Sequence, residues 1–98
     1  MKKHKLLADS VKKGRLKRNL KMSQLASLIG KTTGYISKIE SGSLDNPPSR
    51  AVVIDLAHAL DINEYLLLLR ARYIPREWND AICDFLLTCL ESLLVKKD

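Results

Sequence analysis

The sequence predicts an all-α fold, and three observations carry that expectation. Only three prolines occur, at 47, 48 and 75, and they punctuate the chain into three blocks. Between them Leu, Ala, Lys, Arg and Glu dominate, with β-branched and aromatic residues scattered. Nothing alternates with the period of two that marks a half-buried strand. The length of 98 residues suits one small domain with one appended element and excludes a two-domain enzyme, because single cores usually form at ~100–150 residues. Apolar residues make up 46%, enough for a real core and too many for a disordered tail.

The first helix is expected from about Lys5 to Leu20, with Leu7 and Val11, then Leu16 and Leu20, as apolar i,i+4 pairs. Gly14 lies inside it and costs ~1 kcal/mol relative to Ala, so it either permits close packing or marks a weaker stretch. A short second helix, Met22 to Ile29, turns Leu25, Ala26 and Ile29 to one face and stops at Gly30. Thr32 and Thr33 can each cap a third helix, which carries Ile36 and Ile39 inward and ends at Ser41-Gly42. After the loop 43–48, Ser49 caps Arg50 to Leu60, whose Val53, Leu56, Ala57 and Leu60 form an inward stripe. Asn63 then caps a fifth helix, Glu64 to about Arg72.

Pro75 suits the first turn of a sixth helix, where its missing N–H costs nothing. Trp78, Ile82, Phe85, Leu86, Cys89, Leu90, Leu93 and Leu94 form its apolar stripe over about five turns, with Asp80, Asp84 and Glu91 on the other side. Lys96 and Lys97 sit at its C-terminal end, where cations suit the helix dipole.

Charge is distributed unevenly. Residues 1–40 hold eleven Lys or Arg against Asp9 and Glu40, a net of +9, whereas residues 41–98 hold six against nine acids, a net of −3. A basic half beside an acidic segment points to a polyanion-binding face, with nucleic acid the leading partner and a merely solvated face the alternative. Lys2, Lys3 and Lys5 form a solvated arm or touch DNA backbone.

Other functions find little support. No Ser/His/Asp set, carboxylate pair or phosphate-cradling Gly loop occurs, so no catalytic residues are assigned and the chain is not expected to be an enzyme. His4 and His58 read as structural or surface residues. Cys83 and Cys89 are too sparse for a disulfide framework. Lying ~240° apart on one helix, they cannot jointly hold a metal, and Cys89 is expected in the core with Cys83 on its flank. No metal or cofactor is expected. Asp9, Lys12 and Lys13 interrupt any signal-peptide core, and the longest apolar run, Tyr65 to Leu69, is far short of the ~20 residues of a membrane span. The expected location is a reducing cytoplasm.

Residues 22–41 have the spacing of a helix-turn-helix. Ala26 is small where two helices cross, Gly30 turns the chain, and Leu25, Ile29, Ile36 and Ile39 face a shared core. With ~100° per residue and Ile36 inward, Gly34, Ser37, Lys38 and Ser41 cluster on the opposite face, with Thr33 at the exposed N-terminal end. Lys38 can donate to guanine O6 and N7, and Thr33 and Ser37 can serve bases or phosphates. Gly34 lets the helix come close. The same wheel puts Glu40 inward, where a charge needs a partner, and Arg15 is the candidate.

The stretch Tyr35-Ile36-Ser37-Lys38-Ile39-Glu40-Ser41-Gly42, together with Leu56-Ala57-His58-Ala59-Leu60, resembles the Xre/Cro/phage-repressor family of helix-turn-helix DNA-binding proteins. The resemblance covers roughly residues 7–70. It implies a five-helix lambda-repressor-like domain whose third helix, about 33–41, enters the major groove of double-stranded DNA. By that resemblance Thr33, Gly34 and Lys38 contact bases, Thr32 and the start of the second helix contact phosphate, and Arg15 pairs with Glu40. The sequence departs from the family pattern at Lys21 and Met22, where a Ser/Thr cap and Gln are usual, and at Lys31, which is often apolar. Lys21 and Lys31 are therefore candidate phosphate ligands through their charge. The loop after Gly42 is about three residues longer than in compact phage repressors and holds Asp45, which leaves Arg50 as the phosphate ligand beyond the third helix. Ser41 joins the backbone set. Tyr35 either packs over the turn or reaches phosphate.

For the sixth helix, packing back onto helices one and five competes with dimerisation through Trp78, Ile82, Phe85, Leu86, Cys89, Leu90 and Leu93. Dimerisation is favoured because five helices already close the core that the resemblance implies. The expected organisation is a DNA-binding domain over 1–73 and a dimerisation element over 74–98. The expected function is transcriptional regulation, as a repressor that binds an inverted-repeat operator as a homodimer, in a bacterial or phage setting. An antitoxin or restriction-modification controller of its own operon is the alternative within the class. Outside it stands a protein-interaction module whose helix 76–95 binds a regulatory protein.

Overall fold

Five of the helices end in the same way. The computed structural model describes residues 4–74 and 76–95, which form α1 (Lys5–Lys17), α2 (Met22–Leu28), α3 (Thr33–Ser41), α4 (Arg50–Leu60), α5 (Glu64–Arg70), a 3₁₀ turn (Arg76–Trp78) and α6 (Asn79–Val95). After each of α1 to α5 one residue turns left-handed: Asn19, Gly30, Gly42, Asp61 and Arg72, with φ of 55°, 67°, 70°, 55° and 67°. The next N–H then reaches back five residues, as in Leu20 to Arg15 O at 3.0 Å, Lys31 to Ala26 O at 2.9 Å and Tyr73 to Leu68 O at 2.8 Å. This closes otherwise orphaned carbonyls at the helix end. Leu20, Ile62 and Tyr73, each just past such a turn, pack against the core.

The starts are capped by side chains. Thr32 Oγ1 accepts from Tyr35 N at 3.1 Å, so Thr32 rather than Thr33 caps α3. Ser49 Oγ accepts from Val52 N, and Asn63 Oδ1 accepts from Tyr65 N and Leu66 N. Such caps contribute about 1 kcal/mol each.

One buried cluster joins α1 through α5, with Leu7, Val11, Leu25, Ile36, Val53, Leu56 and Leu67 fully enclosed. Burying each of these stabilises the fold by about 1.5–3 kcal/mol relative to exposure. Helix α1 packs on α3, α4 and α5, α2 on α3, and α4 on α5. Gly14 serves close packing: a Cβ there would lie 3.1 Å from Ile62 Cδ1 and 3.4 Å from Leu60 Cβ. Arg70 Nη1 donates to Ser10 Oγ at 2.7 Å, tying α5 to α1. The Tyr73 hydroxyl donates to Pro48 O at 2.8 Å and holds the loop before α4.

Several expectations need correction. Helix α1 stops at Lys17 rather than Leu20, because Asn19 reverses the chain, and Leu16 is 55% exposed instead of pairing inward with Leu20. Helix α5 stops at Arg70, two residues early, because Arg72 takes the left-handed turn. Trp78 belongs to the 3₁₀ turn and not to α6, where it is half-buried against Tyr65 with ring centroids 5.1 Å apart. Cys89 is exposed, as is Cys83, because none of the described residues covers that side of α6. The expectations for Lys2, Lys3, Pro75, Lys96 and Lys97 lie outside the described residues.

Helix α6 makes its principal contact with the 3₁₀ turn. Phe85, Leu86, Leu87, Leu90, Leu93 and Leu94 are 53–66% exposed, so most of its apolar face is left uncovered by the described residues.

Candidate nucleic-acid interface

Two helices joined by a tight turn make the basic face. Helix α2 is closed by Gly30 N to Ser27 O at 3.3 Å and Lys31 N to Ala26 O at 2.9 Å, and Gly30 supplies the positive φ that L side chains adopt at a cost. Two residues later Thr32 starts α3. Leu25 and Ala26 from α2 and Ile36 and Ile39 from α3 are buried together, which fixes the angle between the helices.

The burial of Ile36, Ile39 and Glu40 leaves Thr33, Gly34, Ser37 and Lys38 exposed on the other face of α3. These four form a short polar strip two turns long. A threonine hydroxyl, a serine hydroxyl and a lysine ammonium supply donors and acceptors at side-chain reach, while Gly34 keeps the strip shallow enough to meet a groove floor.

Glu40 is held from behind. Arg15 Nε donates to Glu40 Oε2 at 2.7 Å, Arg15 Nη2 to Glu40 Oε1 at 3.0 Å, and Arg15 Nη1 to Leu20 O at 2.8 Å. Arg15 is 9% exposed and Glu40 5%, so both charges are removed from water and compensated by a two-pronged pair. The hydrogen bond to Glu40 raises the Arg15 pKa above its usual value against the opposing effect of burial. The pair joins α1 to α3 and keeps the carboxylate off the exposed strip.

The predicted backbone ligands fall in different places. Lys21 and Lys31 are exposed at the start of α2 and in the turn, flanking α3. Gln24 Oε1 accepts from Lys21 N at 2.8 Å, which leaves its amide NH₂ to donate outward, a candidate ligand that the sequence reading passed over. Thr32 uses its oxygen as a cap and retains an O–H to donate. Tyr35 is half-buried against the core, with Lys31 Nζ 5.8 Å from its ring centroid, which is the packed arrangement of the two considered. Burial first, and Tyr73 second, push its hydroxyl pKa up.

Ser41 and Arg50 differ from the rest. The Ser41 hydroxyl is engaged at the C-terminal end of α3, with Lys38 O at 3.2 Å and Ser43 Oγ at 2.9 Å, where exposed carbonyls disfavour phosphate. Arg50 donates to Ile74 O at 2.7 Å, and its guanidinium lies 4.9 Å from the Tyr73 ring centroid. Its role here is to fasten α4 to the segment after α5. No spacing rule would have found this contact, because it joins residues 24 apart through a backbone carbonyl.

His58 is exposed, 3.5 Å from Glu64 Oε2. Among the described residues no group of three or more His, Cys, Asp or Glu side chains could hold a metal ion, and no helix is long and apolar enough to cross a membrane.

Comparison with known proteins agrees with this geometry. The family model HTH_3, described as helix-turn-helix, matches residues 11–67. Among solved structures, the chain is similar to the "SinR protein/SinI protein complex", with a TM-score of 0.58 and 23% identity over 93% of this chain and 94% of that one. No curated protein matches.

Proposed function

This chain belongs to the HTH_3 helix-turn-helix family of DNA-binding transcription regulators, and from that premise we propose that it is a repressor acting as a homodimer on an inverted-repeat operator. The observation that carries the reading is the exposed strip Thr33, Gly34, Ser37 and Lys38, set on a helix whose other face is locked into the core. In this proposal those four residues meet base edges, while Lys21, Lys31, Thr32 and Gln24 hold phosphates on either side. Tyr35 supports the turn, and Arg15 and Glu40 set the pitch of α3. Ser41 and Arg50 are set apart from these in the proposal, since Ser41 lies among the carbonyls at the C-terminal end of α3 and Arg50 is fastened to Ile74 O and the Tyr73 ring.

Residues 1–73 form the DNA reader in this reading and residues 74–98 the assembly element. The exposed apolar face of α6 supports self-association. A two-fold pair would place two copies of α3 about 34 Å apart, one DNA turn, and so read two inverted half-sites. Repression then needs no chemistry, only occupancy of DNA that overlaps a promoter. A second reading, in which α6 receives a regulatory protein, draws on the same face and on the similar structure, which is a complex of two proteins.

Selection of bound sequences from a random DNA pool, followed by footprinting in a salt series, tests the proposal. The expected result is an inverted repeat protected over two half-sites, with a steep fall of log affinity against log salt. Weak, uniform retention of all sequences would overturn it in favour of a protein-interaction module.

A further inference from the structure

A cleft of about 270 Å³ opens where the start of α1 meets the end of α5, lined by His4, Lys5, Leu6, Arg70 and Arg72. We propose that it is a binding site for a small phosphate-bearing molecule, a phosphomonoester or a pyrophosphate. Three of the lining residues carry a positive charge and none carries a negative one. Held around one space, these cations repel one another, and an anion among them relieves that repulsion. Lys5 and Arg72 enter no ion pair or side-chain hydrogen bond among the described residues, and Arg70 uses only Nη1, on Ser10 Oγ. That leaves two guanidinium groups and an ammonium with donors to spare, the groups that match phosphate oxygens.

The backbone of the cleft points the same way. Of the left-handed turns that end α1 to α5, Asn19, Gly30, Gly42 and Asp61 are residue types that tolerate the conformation, and Arg72 is the exception. The turn alone favours glycine, so what an arginine adds there is its guanidinium. His4 gives α1 no side-chain cap and no acid stands in the first turn, which leaves the positive end of the helix beside the cleft. His4 Nε2 is enclosed without a hydrogen-bond partner among the described residues, and a turn of the ring toward a bound anion satisfies it. The volume lies just under the ~300–1,000 Å³ of sites for drug-sized ligands, which suits a small phosphate ester. Lys5 is about 15 Å along α1 from Arg15, the residue that backs α3, and α5 packs principally on α4 and α1. The cleft therefore stands apart from the exposed strip of α3, and a free molecule rather than the DNA backbone is its occupant. Bound there, it bridges α1 and α5 beside the bond from Arg70 to Ser10.

Calorimetric titration of the full chain with pyrophosphate and with inorganic phosphate, in chloride buffers of matched ionic strength, tests this. The expected result is one saturable site per chain for at least one of the two probes, and a thermal midpoint that rises with the logarithm of that probe's concentration. Lys5→Gln and Arg72→Gln should each weaken binding about tenfold or more. Lys13→Gln removes the same charge from an exposed position of α1 outside the cleft and should leave binding unchanged. All three positions are exposed, and circular dichroism checks that the core stays folded. Retention of random-sequence duplex DNA by the same variants should match the wild type. Absence of saturable binding for both probes overturns the site, and an equal loss in all three variants overturns it in favour of diffuse attraction. A loss of DNA retention in Lys5→Gln and Arg72→Gln but not in Lys13→Gln overturns the small-molecule occupant and assigns these cations to DNA phosphates.

Discussion

Arg15 grips both carboxylate oxygens of Glu40 from the adjacent helix, at 2.7 and 3.0 Å, while its remaining arm holds the carbonyl of Leu20. Removing one partner strands the other charge in the core. Arg15→Met should therefore destabilise the fold by about 3–5 kcal/mol, whereas Arg15→Met with Glu40→Leu should recover most of that loss. Urea titrations of the two single variants and the double give the coupling directly. An Arg15→Met protein of unchanged stability that had lost DNA binding would show the pair to be part of the interface instead.

The two classes of proposed DNA contact should separate in one data set. Lys38→Ala and Thr33→Ala should each weaken the selected operator by about 1–3 kcal/mol and relax preference at one position of the half-site. Lys21→Ala and Lys31→Ala should weaken all sequences alike and lower the salt slope by about 1 each. Electrophoretic shifts on matched and mutated operators at three salt concentrations distinguish the patterns, and equal behaviour of all four variants would remove the assignment of bases to α3.

Left-handed turns at Asp61 and Arg72 burden residues that carry a Cβ, at φ of 55° and 67°. Asp61→Gly and Arg72→Gly should each raise the thermal midpoint, by a gain of up to about 1 kcal/mol. Gly42→Ala, at φ of 70°, should lower it by about 1–2 kcal/mol. Calorimetry on the three variants would contradict the helix-end account if all of them moved in the same direction.

Protonation of Glu77 should loosen the start of α6. Hydrogen bonds from its own backbone N–H and from the Tyr65 hydroxyl hold its carboxyl below the ordinary value of 4.5. With the folded pKa the lower one, the contribution is complete above the unfolded carboxylate range and is lost as pH falls through the folded value. Trp78 is the sole tryptophan and stacks on Tyr65, so its fluorescence reports this junction. A change in emission between pH 5 and pH 3 is expected in the wild type and should be absent in Glu77→Gln.

Much of the fold of α1 to α5 was legible in the amino-acid sequence. Apolar spacing found every helix, and Ser49, Asn63 and the glycines at 30 and 42 marked ends correctly because caps and left-handed turns are local events. The ends at Asn19 and Arg72 escaped, since neither residue is a glycine and the turn is enforced by Leu20 and Tyr73 packing onto a core assembled from distant segments. The exposed strip on α3 followed from helical geometry once Ile36 was known to face inward. The internal contacts of Arg50 and Ser41 were not legible for the opposite reason: their partners, Ile74 O, the Tyr73 ring and Ser43 Oγ, are set by tertiary approach or by a loop conformation.

If α6 self-associates as proposed, its slight attachment to the rest of the chain makes abundance a regulatory variable. The core of α1 to α5 closes within one molecule, so its unfolding should be indifferent to dilution. Helix α6 has 17 residues and its principal contact among the described residues is the turn at its base, whereas most helical stability in proteins comes from packing of an apolar face. In the proposed homodimer that packing comes from the other copy, so helix content should fall on dilution while the core remains intact. Operator occupancy would rise more steeply than in proportion to the number of molecules present, giving a threshold set by protein synthesis and turnover without any effector molecule.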